Sequence, residues 1–349
     1  MTEISREVFD QQRKPRFGNA NPERMSLSFW EWMIRDSPRS PDTEEGPLEE
    51  SGLVMREGML KSMYGPYRAR DFFNIPLNRE EGPIWTFDRM GSTRSVLPDG
   101  RVICVGGEHE DFYDPDFYIY NDVVVLGPDD QIEIYGYPKA VFPPTDFHTA
   151  TVAAKKIVII GGLGYVNERR PGFTPAYMLD LSGYCIGEIA TSGEMPGWIS
   201  EHEASWDSVK GIITIKGGQV VRERGGRQRI CRNYEDYALD LQSWVWQRLT
   251  DRNWREFSIR QEKGVFMLEQ KPKVESLLPR DVGQSVLPPE REENARFIVA
   301  GVPVSLEIGV RNIRILVEGS LPEALSARMV EEIRANAEAA IRRRCVLEE

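Results

Sequence analysis

The chain has few of the residues that bind metals or form cross-links. Its 349 residues include only four cysteines and three histidines. The cysteines are Cys104, Cys185, Cys231 and Cys345. They are scattered, with no Cys-x-x-Cys pair, so neither a zinc framework nor a disulfide framework is indicated. We therefore predict reduced thiols, which behave as small apolar residues when they lie in strands.

Long apolar runs are missing too. No stretch approaches the ~18 to 20 uninterrupted apolar residues that a membrane helix needs. Residues 1–7 also lack the apolar core of a secretory signal. The apolar share of 40% and the charged share of 28% are typical of a soluble globular protein. These features predict a cytoplasmic protein with no membrane partner.

The chain lacks an excess of positive charge, since its net charge is −11 at pH 7. Nonspecific nucleic-acid binding needs a basic surface that displaces counterions, so we predict no nucleic-acid partner. The charge is compatible with a basic protein partner, because complementary charge speeds encounter. The alternative is that the acidic surface only keeps the protein soluble.

Familiar catalytic motifs are absent as well. The sequence contains no Gly-x-Ser-x-Gly elbow, no Walker loop and no Gly-x-Gly-x-x-Gly after a strand. The run Gly161–Gly164 resembles a nucleotide-binding loop, but it falls at a turn rather than before a helix. We predict no cofactor, and the balance favours a protein that is not an enzyme.

One pattern is present three times: a short β-rich run that ends in two glycines. The glycine pairs begin at Gly106, Gly161 and Gly217, so the repeat is about 55 residues long. A candidate first strand precedes each run, at 94–95, 148–151 and 202–205. Two further candidate strands follow each run. They lie at 121–126 and 131–134 in the first repeat, at 176–181 and 184–186 in the second, and at 237–241 and 244–247 in the third. Four short strands in each repeat predict the blades of a propeller.

The repeat resembles that of the kelch family. The matching features are the apolar run into Gly-Gly, the later Tyr followed by Leu-Asp-Leu at 177–181 and 237–241, and Trp244 in the last strand. The resemblance covers roughly residues 84–254. It implies a mainly β chain with a kelch-like β-propeller of few blades. Apolar periodicity outside this range predicts N-terminal helices and a C-terminal β-hairpin and long helix. Kelch-like propellers are mostly binding scaffolds, with a few enzymes among them.

The sequence pattern divides the chain into four parts. We predict a flexible tail at 1–25, a helical extension at 26–83, propeller repeats at 84–270, and an irregular linker, strands and a helix at 271–349. The first helix carries Trp30 and Trp32, which we expect to dock onto the propeller. Trp85 is expected on a strand that closes the ring. Residues 257–318 are interpreted either as a degenerate fourth blade or, from residue 296, as a separate module.

Each repeat has a long connection after its second strand, at 108–118, 163–175 and 219–234. All three leave the same strand end, so we expect them to gather on one face. The first is acidic and aromatic, and the other two are basic. The candidate binding residues are Glu108, Glu110, Asp111, Phe112, Tyr113, Asp114, Asp116, Arg169, Arg170, Arg222, Arg224 and Arg227.

These features favour a non-enzymatic scaffold that binds a protein partner, such as a basic toxin or a regulated protein, through this face. One alternative is a metal-dependent enzyme that uses His148 and His202, which occupy equivalent positions at the start of two first strands. The other interpretation of these histidines is hydrogen bonding to neighbouring backbone. A third hypothesis is a small-molecule or sugar-binding module. It is motivated by the aromatic residues Phe112, Tyr113, Phe117, Tyr118 and Tyr165.

Overall fold

The structure is a computed structural model that describes residues 4–36, 82–109, 117–224, 226–252, 254–262, 272–280, 284–287, 294–309 and 312–348. The chain forms two compact units, Met1–Thr250 and Asp251–Glu349. Strands greatly outnumber helices in the described ranges, so the prediction of a mainly β chain is confirmed.

The first unit contains short antiparallel strands. The first of them in chain order are β1 (Glu23–Arg24), β2 (Thr93–Val96), β3 (Val102–Val105), β4 (Glu108–His109), β5 (Tyr118–Ile119), β6 (Val123–Leu126), β7 (Ile132–Gly136), β8 (Thr149–Ala153), β9 (Lys156–Ile160), β10 (Ala176–Asp180) and β11 (Ile186–Glu188). There follow β12 (Ser192–Gly193), β13 (Trp198–Ser200), β14 (Glu203–Asp207), β15 (Ile212–Lys216), β16 (Gln219–Arg224), β17 (Arg227–Arg232), β18 (Tyr237–Asp240) and β19 (Val245–Arg248).

The predicted four-strand repeat is present three times. Sheet 1 has the order β1-β7-β6-β3-β2, sheet 2 has the order β11-β10-β9-β8, and sheet 3 has the order β12-β19-β18-β15-β14. In each sheet the second strand of the repeat runs into a glycine pair. No sheet closes on itself within the described ranges, so the kelch-like propeller stays a prediction.

The sheets form because their strands carry β-branched residues on the faces that become buried. In β9, Ile157 and Ile159 pack with apolar residues of sheet 1, whereas Val158 and Ile160 pack with apolar residues of sheet 3. All four side chains are buried. A strand covered on both faces is expected to be a continuous apolar run, and β9 fits that description. Sheet 2 therefore lies between the other two.

The N-terminal residues differ from the predicted flexible tail. They contain helix α1 (Arg6–Gln12), capped by Ser5, and strand β1 of sheet 1. A second helix, α2 (Ser28–Asp36), follows. The segment has too few apolar residues to show a periodic pattern, yet Phe9 is fully buried and its ring lies 5.1 Å from that of Phe29. One well-placed aromatic residue is enough to order the segment.

Helix α2 packs on the outer face of sheet 1, which confirms the predicted docking. Trp30 is fully buried and stacks on Trp85 with ring centroids 4.6 Å apart. Trp85 itself is not on a strand, so that prediction was wrong. Its backbone N–H donates to Arg13 O at 2.7 Å, and its ring is held between α2 and sheet 1. Residues 37–81 of the predicted helical extension lie outside the described residues.

The second unit contains one antiparallel sheet with helices against it. Its strands are β20 (Trp254–Gln261), β21 (Gln284–Leu287), β22 (Asn294–Val299), β23 (Val302–Ile308), β24 (Ile313–Glu318) and β25 (Cys345–Glu348), and its helices are α3 (Val274–Leu277) and α4 (Glu323–Ile341). The sheet order is β21-β22-β23-β24-β20-β25. The apolar stripe of α4, which includes Met329, Ile333 and Ile341, is buried with Phe297 in one core.

Strand β20 was interpreted as the start of a fourth blade. It pairs instead with β24 and β25, so it belongs to the second unit. Both partners lie more than 50 residues further along the chain, so no local pattern predicts this pairing. Of the helices that the structure describes, none is long and apolar enough to span a lipid bilayer.

Candidate functional site

Consecutive sheets of the first unit are joined by a repeated main-chain hydrogen bond. Phe147 N–H donates to Gly91 O at 2.7 Å, and Glu201 N–H donates to Phe147 O at 2.8 Å. The three residues have φ angles of +62°, +50° and +55°. A positive φ is uncommon outside glycine, so its recurrence at Phe147 and Glu201 marks an equivalent joint. Each joint residue lies two positions before the first strand of its repeat, which is β2, β8 or β14.

The glycine pairs allow the sheets to approach each other closely. Gly107 N–H donates to Thr145 O, and Gly162 N–H donates to Ile199 O, both at 2.8 Å. A Cβ atom on Gly161 would lie 2.3 Å from Ile199 O, and one on Gly106 equally close to Thr145 O. Both glycines also have positive φ angles. Glycine is required here by conformation and by space together.

The two equivalent histidines lie at the same joints. His148 Nε2 is 2.9 Å from Thr93 Oγ1, and His202 Nε2 is 2.9 Å from Thr149 Oγ1. Both side chains are buried. Each imidazole therefore links its own repeat to the first residue of β2 or β8 in the sheet before it, through a hydroxyl rather than through backbone.

The alternative to a binding scaffold is an enzyme with a metal centre at these histidines. Within the described ranges, no group of three or more histidine, cysteine, aspartate or glutamate side chains is arranged to hold a metal ion. The nearby carboxylate of Asp146 is buried and accepts a hydrogen bond from Gly164 N–H at 2.6 Å. The positions of His148 and His202 thus favour a structural role.

The buried histidines predict a specific loss of stability in acid. Burial lowers the pKa of His148 to about 3, with His202 as a second cause, and burial lowers the pKa of His202 to about 4. The unfolded chain, with histidine pKa values near 6.5, binds protons that the folded chain does not. The stability that the two neutral imidazoles contribute is therefore fully present above pH 6.5. It falls by about 1.4 kcal/mol per pH unit for each histidine as the pH drops toward 4.

Urea unfolding at pH 7, 6 and 5 would measure this dependence. Asp88 acts in the opposite sense, because burial raises its pKa to about 6 and its stabilising protonation is lost as the pH rises through that value. The comparison is therefore made between the wild type and the double variant His148→Gln, His202→Gln. The variant should lose less stability between pH 7 and 5, and equal losses would refute the assignment.

A buried ion pair fixes the Trp85 segment to sheet 1. Arg89 forms a two-pronged pair with Asp122, and their side chains are only 3% and 6% exposed. Trp85 Nε1 donates to Asp122 Oδ2 at 2.9 Å, and the Arg89 guanidinium lies 3.5 Å from the Tyr120 ring centroid. Sequence reasoning missed this cluster, because nothing in the pattern connects residues 89 and 122.

Hydrogen bonds link described residues of the three long connections. Tyr165 Oη accepts from Ile119 N–H at 3.0 Å, which joins the first connection to the second. Gln228 Nε2 donates to Arg169 O at 3.3 Å, which joins the second to the third, and Trp198 Nε1 of β13 donates to Leu163 O at 2.9 Å. We call the described residues of 108–119, 163–175 and 219–234 the loop face.

The candidate binding residues have different positions on the loop face. Glu108 is buried on β4 and presents no exposed carboxylate. Arg169 is half-buried and donates to Leu163 O and Gly164 O, so it braces its own connection. Arg170 is exposed and lies 3.8 Å over the Phe173 ring. The acidic and aromatic candidates Glu110, Asp111, Phe112, Tyr113, Asp114 and Asp116 lie outside the described residues.

The third connection is a β-hairpin rather than a loop. Strands β16 and β17 pair with each other, and β13 joins them in a three-stranded sheet. Arg224 and Arg227 are the last pair of the hairpin, and Arg222 lies opposite Arg229. The signal that would have found it is Gly225-Gly226 between two six-residue runs, since such a pair is typical of a two-residue hairpin turn.

Apolar side chains are also exposed on this face. Ile230 on β17 is 48% exposed, and Val166, in the short 3-10 helix of the second connection, is 62% exposed. Arg222, Arg229 and Arg232 are also exposed on the hairpin, Arg232 on the same face as Ile230 and the other two on the opposite face. The described part of the loop face therefore carries exposed arginines and isolated exposed apolar side chains, although the net charge of the chain is negative.

Comparison with known proteins identifies no relative from which a function could be inferred. No protein-family model matches the chain, and no curated protein matches its sequence. The resemblance to kelch repeats rests on the residues themselves, and the function has to be argued from the contacts described above.

Proposed function

We propose that the chain is a non-enzymatic interaction protein whose first unit is a small kelch-like propeller that binds a protein partner through its loop face. Three features support the propeller. The sheets repeat one strand order, they stack face to face, and equivalent main-chain bonds join them in succession. The proposal assigns no chemistry to His148 and His202, whose buried imidazoles are held by threonine hydroxyls.

The exposure of Ile230 and Val166 on adjoining connections carries the binding proposal. Apolar side chains on separate segments of one surface, together with arginine, are typical of a protein interface. The net charge of −11 favours a basic partner at long range. The exposed Arg170, Arg222 and Arg232 favour an acidic surface at the point of contact. We give the local charge more weight, because salt screens charge beyond about 10 Å.

Site-specific photo-crosslinking in cells would test this function. A photoreactive amino acid at Gln228, on the loop face, should trap a distinct partner. The same group at Val209 is the matched control. Val209 is 95% exposed and lies in the β14–β15 turn, at the opposite end of strands in the same unit.

Charge reversal completes this experiment. The double variant Arg170→Glu, Arg222→Glu should weaken the crosslink from Gln228, because it reverses the sign of the proposed contact surface. If Gln228 traps nothing, or if Val209 traps the same protein equally well, the loop face is not the binding surface.

A further inference from the structure

Strand β17 forms the edge of its sheet. The order is β13-β16-β17, and no described strand pairs with the outer side of β17. An edge strand presents a row of backbone N–H and C=O groups that can pair with another chain. Six residues of β17 are extended, and none of them is proline. The edge is thus long enough to accept a strand.

The register shows which backbone groups face outward. Asn233 N–H donates to Gly218 O at 2.9 Å, one step beyond the pair formed by Gln219 and Arg232. In an antiparallel ladder, hydrogen-bonded pairs alternate with pairs that are not bonded to each other. Counting from Asn233, residues 231, 229 and 227 bond inward to β16. Gln228, Ile230 and Arg232 therefore direct their N–H and C=O groups toward the outer edge.

The side chains of β17 define the chemistry of a strand that would lie beside it. One face of the hairpin carries Arg229 directly opposite Arg222, and both are exposed. Two arginines in directly opposed positions concentrate positive charge on this face, and carboxylates on a neighbouring strand would complement that charge. The other face carries the exposed Ile230. An added strand is therefore complementary if acidic and apolar residues alternate along it.

We infer that an extended, acidic segment of the protein partner adds to the outer edge of β17 as a fourth strand. Its main chain pairs with Gln228, Ile230 and Arg232. Its carboxylates lie on the face of Arg229, and its apolar side chains cover Ile230. This mode, in which main-chain bonds give affinity and alternate side chains give specificity, is known as strand addition. The inference rests on the proposed function of the loop face and names the chemistry of the partner.

The variant Ile230→Pro tests the main-chain pairing. Proline removes the outward N–H of residue 230 but deletes no bond between β16 and β17, and edge strands tolerate it at such positions. The probe is a fluorescent, terminally capped peptide of alternating Glu and Val. We expect Ile230→Pro to weaken peptide binding by about tenfold or more, as loss of a hydrogen bond at the centre of the strand implies.

Two controls separate backbone from side chain. Ile230→Ala keeps the N–H and loses only apolar contact, so it should weaken binding less than Ile230→Pro does. A peptide of alternating Lys and Val should bind far more weakly than the acidic peptide. Acidic peptides that are N-methylated at every second residue give a test without any protein variant. One of the two methylation registers should abolish binding and the other should keep it.

Several outcomes would overturn the inference. They are equal binding of the acidic and basic peptides, no binding of the acidic peptide, equal effects of the two methylation registers, or wild-type binding by folded Ile230→Pro. Photo-crosslinking from Gln228 in the Ile230→Pro background distinguishes this failure from that of the proposed function. If the partner is still trapped, the loop face binds it without strand addition. If the wild type traps nothing, the proposed function itself fails.

Discussion

Replacing Asp122 with alanine should lower the free energy of unfolding of the first unit by about 3 to 5 kcal/mol. The substitution leaves the Arg89 guanidinium, whose side chain is 3% exposed, buried without its carboxylate. It also removes the acceptor of the Trp85 indole N–H. Urea unfolding followed by tryptophan fluorescence would measure the loss, because Trp85 and Trp30 stack beside the ion pair.

A double variant shows whether the loss comes from the stranded charge. Arg89→Met combined with Asp122→Leu removes both charges and should cost much less than Asp122→Ala, because burying an unpaired ion is the main penalty. The exposed pair of Arg6 and Asp10 is the surface control, and Asp10→Ala should cost less than about 1 kcal/mol. If Asp122→Ala is as mild as Asp10→Ala, the ion pair does not anchor this segment.

Replacing Gly161 with alanine should destabilise the first unit by about 2 to 5 kcal/mol. A positive φ costs a residue with a Cβ about 1 to 2 kcal/mol, and forcing an atom into a filled space costs about 1 to 3 kcal/mol more. The φ angle of Gly161 is +74°, and its added Cβ would meet Ile199 O at 2.3 Å and His202 Cε1 at 2.8 Å. The free energy of unfolding in urea is again the measurement.

The repeat supplies a matched control at Gly217. This glycine occupies the equivalent position in sheet 3 and has a φ angle of +61°, but no described atom lies within 4 Å of its added Cβ. Gly217→Ala should therefore cost only the conformational part, about 1 to 2 kcal/mol. Equal losses for Gly161→Ala and Gly217→Ala would show that close approach of the sheets contributes nothing.

The repeat was predictable because its causes are local. A glycine pair after an apolar strand is needed wherever the next sheet approaches, and this need recurs at Gly106 and Gly161. The equivalence of His148 and His202 followed from the same spacing. Their threonine partners could not be predicted, because Thr93 and Thr149 become neighbours only when the sheets stack.

Features that depend on distant contacts were predicted poorly. The segment around Trp85 has the composition of a strand. The position of Trp85 is decided instead by stacking on Trp30, which lies 55 residues earlier. The N-terminal residues are polar, and only the burial of Phe9 reveals why they are ordered. The third connection was predicted to be a basic loop. Its charges were identified correctly. Its two strands were not, because a run in which arginine alternates with other residues resembles a solvated segment.

The joints at Gly91, Phe147 and Glu201 use main-chain atoms alone. Such bonds require no particular side-chain chemistry, but the positive φ at all three positions and the close approach of Phe147 N to Gly91 restrict which residues fit there. The linkage between sheets therefore depends on backbone conformation, and a substitution that cannot hold a positive φ at a joint would disturb two sheets at once.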